Sequence, residues 1–291
     1  METAGHSHSY DSSLMERLLF KVAKKWVAGY TADEAIAAAR DANAKGMGAI
    51  LNFLGEDISE PDGVKSTVQE YLSLIERIGS EKIRGCVSVK PTQLGLAIDY
   101  ELCLSNYGQL ASRAEELSQF MWIDMESIRF TEDTIALYLE LSKKHRMCGL
   151  AMQAYLRRTS SDLLHVTENG GKVRLVKGAY HEQEEHVFAS KDEVDTNYSK
   201  LMKMLHGSGN FFAIATHDSK LIEEAKSLKD SKLEFQLLMG IRDELKRDLV
   251  AEGFAVSEYI PYGVQWLPYS VRRIRERKRN LLLLARSLVQ D

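Results

Sequence analysis

From Gly46 onward, short apolar runs rich in β-branched and aromatic residues alternate with longer stretches whose apolar positions recur every three or four residues. The short runs are GAILNFLG, GCVSVKPTQ, FMWIDMES, GLAMQAYL, VRLVKGAY, FFAIATHD, LEFQLLMG and AVSEYIPYG. Between most of them lie amphipathic stretches, among them GVKSTVQEYLSLIERIG, EDTIALYLELSKKHR, DEVDTNYSKLMKMLHG and SKLIEEAKSLKD. Buried strands separated by helices predict βαβ units and a parallel sheet. Eight such units fit a closed (β/α)8 barrel, with an open doubly wound sheet as the alternative. Ahead of them, TADEAIAAARDANAKG predicts a helix opened by a Thr31–Glu34 capping box and ended at Gly46. Before that, Leu14, Leu18, Val22 and Trp26 fall four apart, which predicts another amphipathic helix.

Four prolines and no low-complexity linker leave no visible boundary. Residues 1–291 therefore read as one domain, with residues 1–45 forming a tail and helices before the first strand. An apolar fraction of 44%, a charged fraction of 27% and a net charge of −4 are ordinary for a soluble globular chain. General affinity for nucleic acid is not expected at this charge. Cys86, Cys103 and Cys148 are too few and too scattered for a disulfide framework or a zinc site, so a reducing cytoplasm is the expected compartment. METAGHSHSY lacks the apolar core of a secretory signal and reads as a loose or artificial tail, so a metal role for His6 and His8 is not expected.

Seven of the eight apolar runs end in polar or titratable residues: Lys90, Asp124, Gln153, Arg174 with Lys177, Thr216 with His217, Gln236 and Tyr259. In a barrel these ends converge on the C-terminal face, where such folds keep their active sites. Arg174, Val176, Gly178 and Tyr180 share one side of an extended run. An inward Arg174 is costly unless it meets an anion, an electron-rich ligand or a core carboxylate such as Asp124. Gly178 and Ala179 allow a ligand to approach the backbone closely. Lys90, followed by the strand-breaking Pro91, suits either a Schiff-base nucleophile or a fixed cation for a carboxylate. Pairing with Asp124 favours the second role.

The segment YSVRRIRERKRN, Tyr269–Asn280, carries six basic residues between Arg272 and Arg279. A helix beginning at Pro268 or Tyr269 places Tyr269, Arg272, Arg273 and Glu276 on one face. Val271, Ile274, Leu281, Leu282 and Ala285 form a separate apolar stripe with Lys278, while Arg275, Arg277 and Arg279 fall at the flanks. Paired arginines beside tyrosine and glutamate suit a small carboxylate held in forked geometry.

That helix resembles the tyrosine–arginine–arginine–glutamate helix of flavin-dependent proline dehydrogenases. The similarity continues, in order, through LNFLGED, SVKPTQLG, WIDMES, MQAYLRR, VRLVKGAY, IATHD and EFQLLMGI, over roughly residues 20 to 285. The resemblance implies a distorted (β/α)8 barrel that binds FAD, with the last helix lying over the barrel top. It implies oxidation of L-proline to Δ1-pyrroline-5-carboxylate with a quinone as electron acceptor. Lys90, Arg272 and Arg273 would hold the substrate carboxylate, Asp124 would support Lys90, and Leu238, Tyr259 and Tyr269 would surround the ring. Gln153, Arg174, Val176, Gly178, Ala179, Tyr180, Thr216, His217 and Gln236 would contact the flavin cofactor, and Glu276 would reach its ribose or pair with an arginine.

His181 stands where many members have tryptophan, and Asp218 where asparagine is common. A separate pyrroline-5-carboxylate dehydrogenase is expected, because no aldehyde dehydrogenase domain is fused. Peripheral contact with the inner face of a membrane is the corresponding expectation for a quinone-using enzyme. Three rival readings remain open at this point. One is a Schiff-base aldolase using Lys90 or Lys177, another a flavin barrel resembling methylenetetrahydrofolate reductase, and the third a nucleic-acid binder or scaffold using RRIRERKR.

Overall fold

A computed structural model describes residues 14–276. Two helices come first, α1 (Leu14–Ala23) and α2 (Ala32–Ala44). Eight strand–helix pairs follow. The first four are β1 (Gly48–Phe53) with α3 (Pro61–Ser80), β2 (Gly85–Val89) with α4 (Tyr100–Glu116), β3 (Met121–Ile123) with α5 (Thr131–Lys144), and β4 (Cys148–Gln153) with α6 (Thr159–Glu168). The rest are β5 (Val173–Val176) with α7 (Lys191–Ser208), β6 (Phe212–Ala215) with α8 (Ser219–Ser227), β7 (Leu233–Leu238) with α9 (Asp243–Ala251), and β8 (Ala255–Tyr262) with α10 (Trp266–Glu276). The strands pair in sequence order, all parallel, and β1 closes on β8 from Gly48↔Ser257 to Phe53↔Tyr262. A closed barrel thus replaces the open-sheet alternative.

Side chains alternate along each strand between two cores. The outward sets pack against the helices in the large apolar layer that includes Leu51, Val87, Leu150 and Leu175. The inward sets stack within the barrel, where Ile50, Cys86, Trp122 and Ala213 meet Phe120, Phe211 and Tyr259. Glycine at position 149 makes room for this layer, since a Cβ there would lie 2.6 Å from the Trp122 ring. All three cysteines are free and buried, on β2, α4 and β4, and burial pushes their thiols far up from the usual range.

The expected capping box forms at Thr31 and Glu34 and starts α2, which crosses the β1–β8 seam. The first helix is shorter than its periodicity suggested. It stops at Ala23, and Trp26 lies beyond it because the chain turns to run beside the end of β8, with the Ala28 N–H donating to the Pro261 carbonyl at 2.9 Å. The last helix begins earlier than expected, at Trp266; Pro268 sits in its first turn, where a missing N–H costs little. Val271 is half-buried. The side chains of Leu14, Leu18, Ile274, Arg275 and Glu276, and all of His6, His8, Arg277, Lys278, Arg279, Leu281, Leu282 and Ala285, lie outside the described residues. Among the described residues no helix is long and apolar enough to cross a membrane.

One buried ion pair fastens α9 to the barrel wall. Lys246, 1% exposed, donates to the Glu258 carboxylate on β8 and, at 2.7 Å, to Asp243. Lys246→Met leaves Glu258 buried without its cation and is expected to cost about 3–5 kcal/mol in urea unfolding. Adding Glu258→Leu should recover most of that loss; a double variant as unstable as the single one would contradict the pairing argument.

Candidate active site

The barrel mouth opens into a cavity of about 1460 Å³ on its C-terminal side, reaching from Lys90 and Asp124 past α7 and α8 to α10. Of the seventeen positions singled out from the sequence, sixteen line it: Lys90, Asp124, Gln153, Arg174, Val176, Gly178, Ala179, Tyr180, Thr216, His217, Gln236, Leu238, Tyr259, Tyr269, Arg272 and Arg273. The remaining one is Glu276, whose side chain lies outside the described residues.

At the floor, strand period fixes who meets whom. Ser88 and Lys90 face inward from β2 and its end, Asp124 from the end of β3, Arg174 from β5 and Tyr259 from β8. Asp124 Oδ1 accepts from Ser88 Oγ at 2.8 Å and from Arg174 Nη2, while Oδ2 accepts from the Tyr259 hydroxyl at 2.9 Å. Lys90 Nζ stands 3.6 Å from Oδ2 and 3.4 Å from Asn52 Oδ1. Burial alone would raise the Asp124 pKa, but Arg174 and Lys90 outweigh it and hold the carboxyl below its usual range. The Tyr259 hydroxyl is pushed well up, by burial first and then by the Asp124 charge. The Arg174 guanidinium carbon lies 5.0 Å from the Trp122 ring centre and 5.5 Å from that of Tyr259. Arg174 therefore meets both conditions at once: it pairs with a core carboxylate, and it lines the cavity.

Along one wall, Gln153 donates to the backbone carbonyls of Met125 and Glu126 at 3.4 and 3.2 Å, which leaves its buried Oε1 without a partner. Gln153 lines the cavity, and a buried acceptor without a partner calls for a donor. Gly178 adopts φ +112, and a Cβ there would come within 2.1 Å of the Tyr155 ring, so the chain needs glycine at this bend. The Leu238 N–H donates to His217 Nε2 at 3.2 Å. Lys177 and Lys191 each bridge Asp195 and Asp218, tying the end of β5 to the starts of α7 and α8.

From above, α10 supplies Tyr269, Arg272 and Arg273. Arg272 pairs with Glu56 on the β1–α3 loop and lies 5.6 Å from the Tyr180 ring centre, and the Tyr180 hydroxyl donates to the same carboxylate at 3.2 Å. Arg273 lies 5.2 Å from the Tyr269 ring centre. Thus three cations, Lys90 from the end of β2 and Arg272 and Arg273 from α10, surround a pocket whose other walls are tyrosine and leucine, beside a wall with a spare acceptor.

The sequence profile of the proline dehydrogenase family matches residues 35–285. This chain belongs to the proline dehydrogenase family. Proline dehydrogenase 2 of Bacillus subtilis (strain 168) is 33% identical over 278 residues, covering 90% of this chain and 92% of its own. Proline dehydrogenase of Deinococcus radiodurans is 31% identical over 291 residues, covering 95% and 93%. Among solved structures, proline utilization A from Bdellovibrio bacteriovorus, inactivated by N-propargylglycine, superposes with a TM-score of 0.83 over 89% of this chain and 33% of that one. At 23% identity that likeness speaks for the barrel alone.

Sequence reasoning on this proline dehydrogenase family member passed over several groups that the barrel brings in. Ser88 and Asn52 hold the floor, and strand parity two residues from Lys90 was the signal for Ser88. Glu56 lay within the quoted LNFLGED without an assigned part, because only the fold shows that its loop faces α10. Lys191 opens α7 and Asp195 follows one turn later, where nothing local marks them. Glu126 was also missed. It is 3% exposed, accepts from the Thr92 N–H at 2.8 Å and the Thr92 hydroxyl at 2.7 Å, and is raised by burial from an ordinary 4.5 to about 7.

The folded state therefore keeps a proton on Glu126 that the unfolded chain releases. Stability falls as pH rises from about 4.5 to about 7, and the penalty is fully present above that window. Glu126→Gln has no such titration. Its stability relative to the parent should improve between pH 5 and pH 8, by on the order of 3 kcal/mol at most. A difference that stays constant with pH, measured by urea unfolding at both ends, would refute the assignment.

Proposed function

We propose that this chain oxidises L-proline to Δ1-pyrroline-5-carboxylate with FAD bound in the barrel mouth, and passes the electrons to a quinone, as the first step of proline catabolism to glutamate. The observation that carries the reading is the convergence of Lys90, Arg272 and Arg273 on a pocket walled by Leu238, Tyr259 and Tyr269. A small cyclic amino acid offers one carboxylate for the cations and an apolar ring for the walls.

The cavity also suits a dinucleotide flavin. Its volume exceeds the roughly 300–1,000 Å³ of ordinary small-ligand sites. Gln153 presents an unmatched acceptor, Gly178 and Ala179 bring bare backbone to the wall, and Arg174 and Gln236 add polar groups from the floor. Val176, Tyr180, Thr216 and His217 complete the proposed cofactor contacts, with Glu276 toward the ribose. Flavin, when bound, supplies the two-electron oxidation.

The protein's own part is to bind, orient and tune charge. Lys90, Arg272 and Arg273 take the carboxylate, and Arg272 exchanges its pairing with Glu56 for it. Asp124 keeps Lys90 and Arg174 in place, and Leu238 with the two tyrosines fixes the ring so that one face of the reacting C–H is presented. The amine has to lose a proton for its C–N bond to become C=N, and three nearby cations disfavour the charged amine. Lys90 and Lys177 both lie against aspartates, an arrangement that suits held cations better than the free amine of a Schiff-base aldolase.

The same reading takes residues 1–291 as one FAD-binding domain, with a separate pyrroline-5-carboxylate dehydrogenase consuming the product. It places the enzyme in the cytoplasm, in peripheral contact with a membrane that holds the quinone.

An anaerobic visible spectrum of the purified protein tests the proposal. A flavin band that bleaches on adding L-proline and returns with a quinone is the expected result, and a flavin band indifferent to proline would overturn the substrate. Arg273→Met removes one charged contact to the carboxylate. It should lower kcat/KM for proline by roughly 30-fold or more while leaving the flavin band intact.

A further inference from the structure

The cavity is covered by α10, and α10 rests on a segment that does not line the cavity at all. Residues 20–30 leave α1, turn, and run alongside the end of β8. Ala28 donates to the Pro261 carbonyl and Gly263 donates to the Gly29 carbonyl, both at 2.9 Å, so this strip is zipped to the connection that leads into α10. The indole N–H of Trp26 donates to Ser270 Oγ at 3.0 Å, between two buried side chains 244 residues apart. Phe20 meets the Trp266 ring edge-on at 5.0 Å, and Phe20, Ala23, Trp26, Val27, Trp266 and Tyr269 form one apolar cluster. The strip also touches the segment after Leu238. Gly240 has φ +65, and a Cβ there would lie 1.4 Å from the Lys25 carbonyl oxygen, so the two backbones are in direct contact.

We propose that residues 20–30 form a strap that sets the height and rotation of α10 over the barrel, and that Trp26 is a positioning residue for substrate binding. The inference rests on the proline-oxidising reading for what the helix holds. A helix rolled on an apolar surface has no fixed rotation, because the hydrophobic effect is non-directional. A hydrogen bond is directional, and this one grips α10 one residue from Tyr269, two from Arg272 and three from Arg273. All three lie within about one turn of the grip, so any rotation about the axis moves all three together. The Gly240 contact sets the strap against the loop beyond Leu238, a residue that lines the same cavity. Trp26 thereby acts on the binding groups through α10 without touching substrate or cofactor.

Trp26→Phe keeps one aromatic ring and deletes the pyrrole portion that carries the donor; Ser270→Ala deletes the acceptor. Each is expected to raise KM for L-proline roughly 5- to 20-fold with kcat changed less than about 2-fold, and the flavin absorbance should be retained. The double variant should be no worse than either single one, because both remove the same bond. Ser270→Thr, which keeps the hydroxyl, should restore KM. Without proline, trypsin should cut after Arg272 and Arg273 faster in the two deleting variants than in the parent. Unchanged KM in folded, flavin-loaded variants, additive effects in the double variant, or failure of threonine to rescue would each overturn the proposal. A parent protein whose flavin is not bleached by proline would instead refute the proposed function, and the trypsin comparison alone would then decide the strap: cutting no faster in the variants would overturn it.

Discussion

Two cations stand inside the barrel mouth, Arg174 and Lys90, and one carboxylate, that of Asp124, makes their presence tolerable. Burying either charge alone would be prohibitive, and burying both side by side would add their repulsion. Asp124 pairs with both and is itself stabilised by Ser88 and Tyr259, and basic side chains outnumber acidic ones along the cavity lining. The site above inherits that bias. Arg272 pairs with Glu56, and Arg273 lies beside the Tyr269 ring. A mouth built this way favours an anionic ligand and disfavours a cationic one before any particular contact is made.

The barrel was legible because its grammar is local. Each apolar run is short, ends at polar residues and gives way to an amphipathic stretch, and all eight runs became strands in the expected order. Periodicity failed where tertiary contact outbid it. Trp26 continues the four-residue spacing of the first helix, yet it leaves the helix to reach Ser270, a partner 244 residues away that no window along the chain contains. Pro268 suggested a later start for α10 than Trp266, because a proline reads as a boundary even when it occupies a first turn.

The candidate site was legible in part for the same reason. Polar residues at strand ends could be assigned to one face of a barrel once the strands were counted, which brought Lys90, Asp124, Gln153 and Gln236 together. Family resemblance, rather than spacing, gave each of them a role. Groups that act through loops were beyond reach: Glu56 meets Arg272 only because β1 and β8 are neighbours, and Glu126 meets Thr92 because two strand-end turns stack. Arg174 illustrates how two readings of one residue can both hold. An internal ion pair and a ligand-facing surface are compatible when the guanidinium has more donors than its carboxylate partner can take.

The barrel's first half holds three free cysteines. They sit on β2, α4 and β4, all buried, with no disulfide between them and thiols that burial keeps protonated. A thiolate reagent in solution finds no target on the closed barrel, and each sulfur becomes reactive only when its own element opens. Ordinary thiol labelling, read cysteine by cysteine, thus times the loosening of the barrel's first half from within the natural sequence, with no probe introduced and no side chain of the catalytic mouth disturbed.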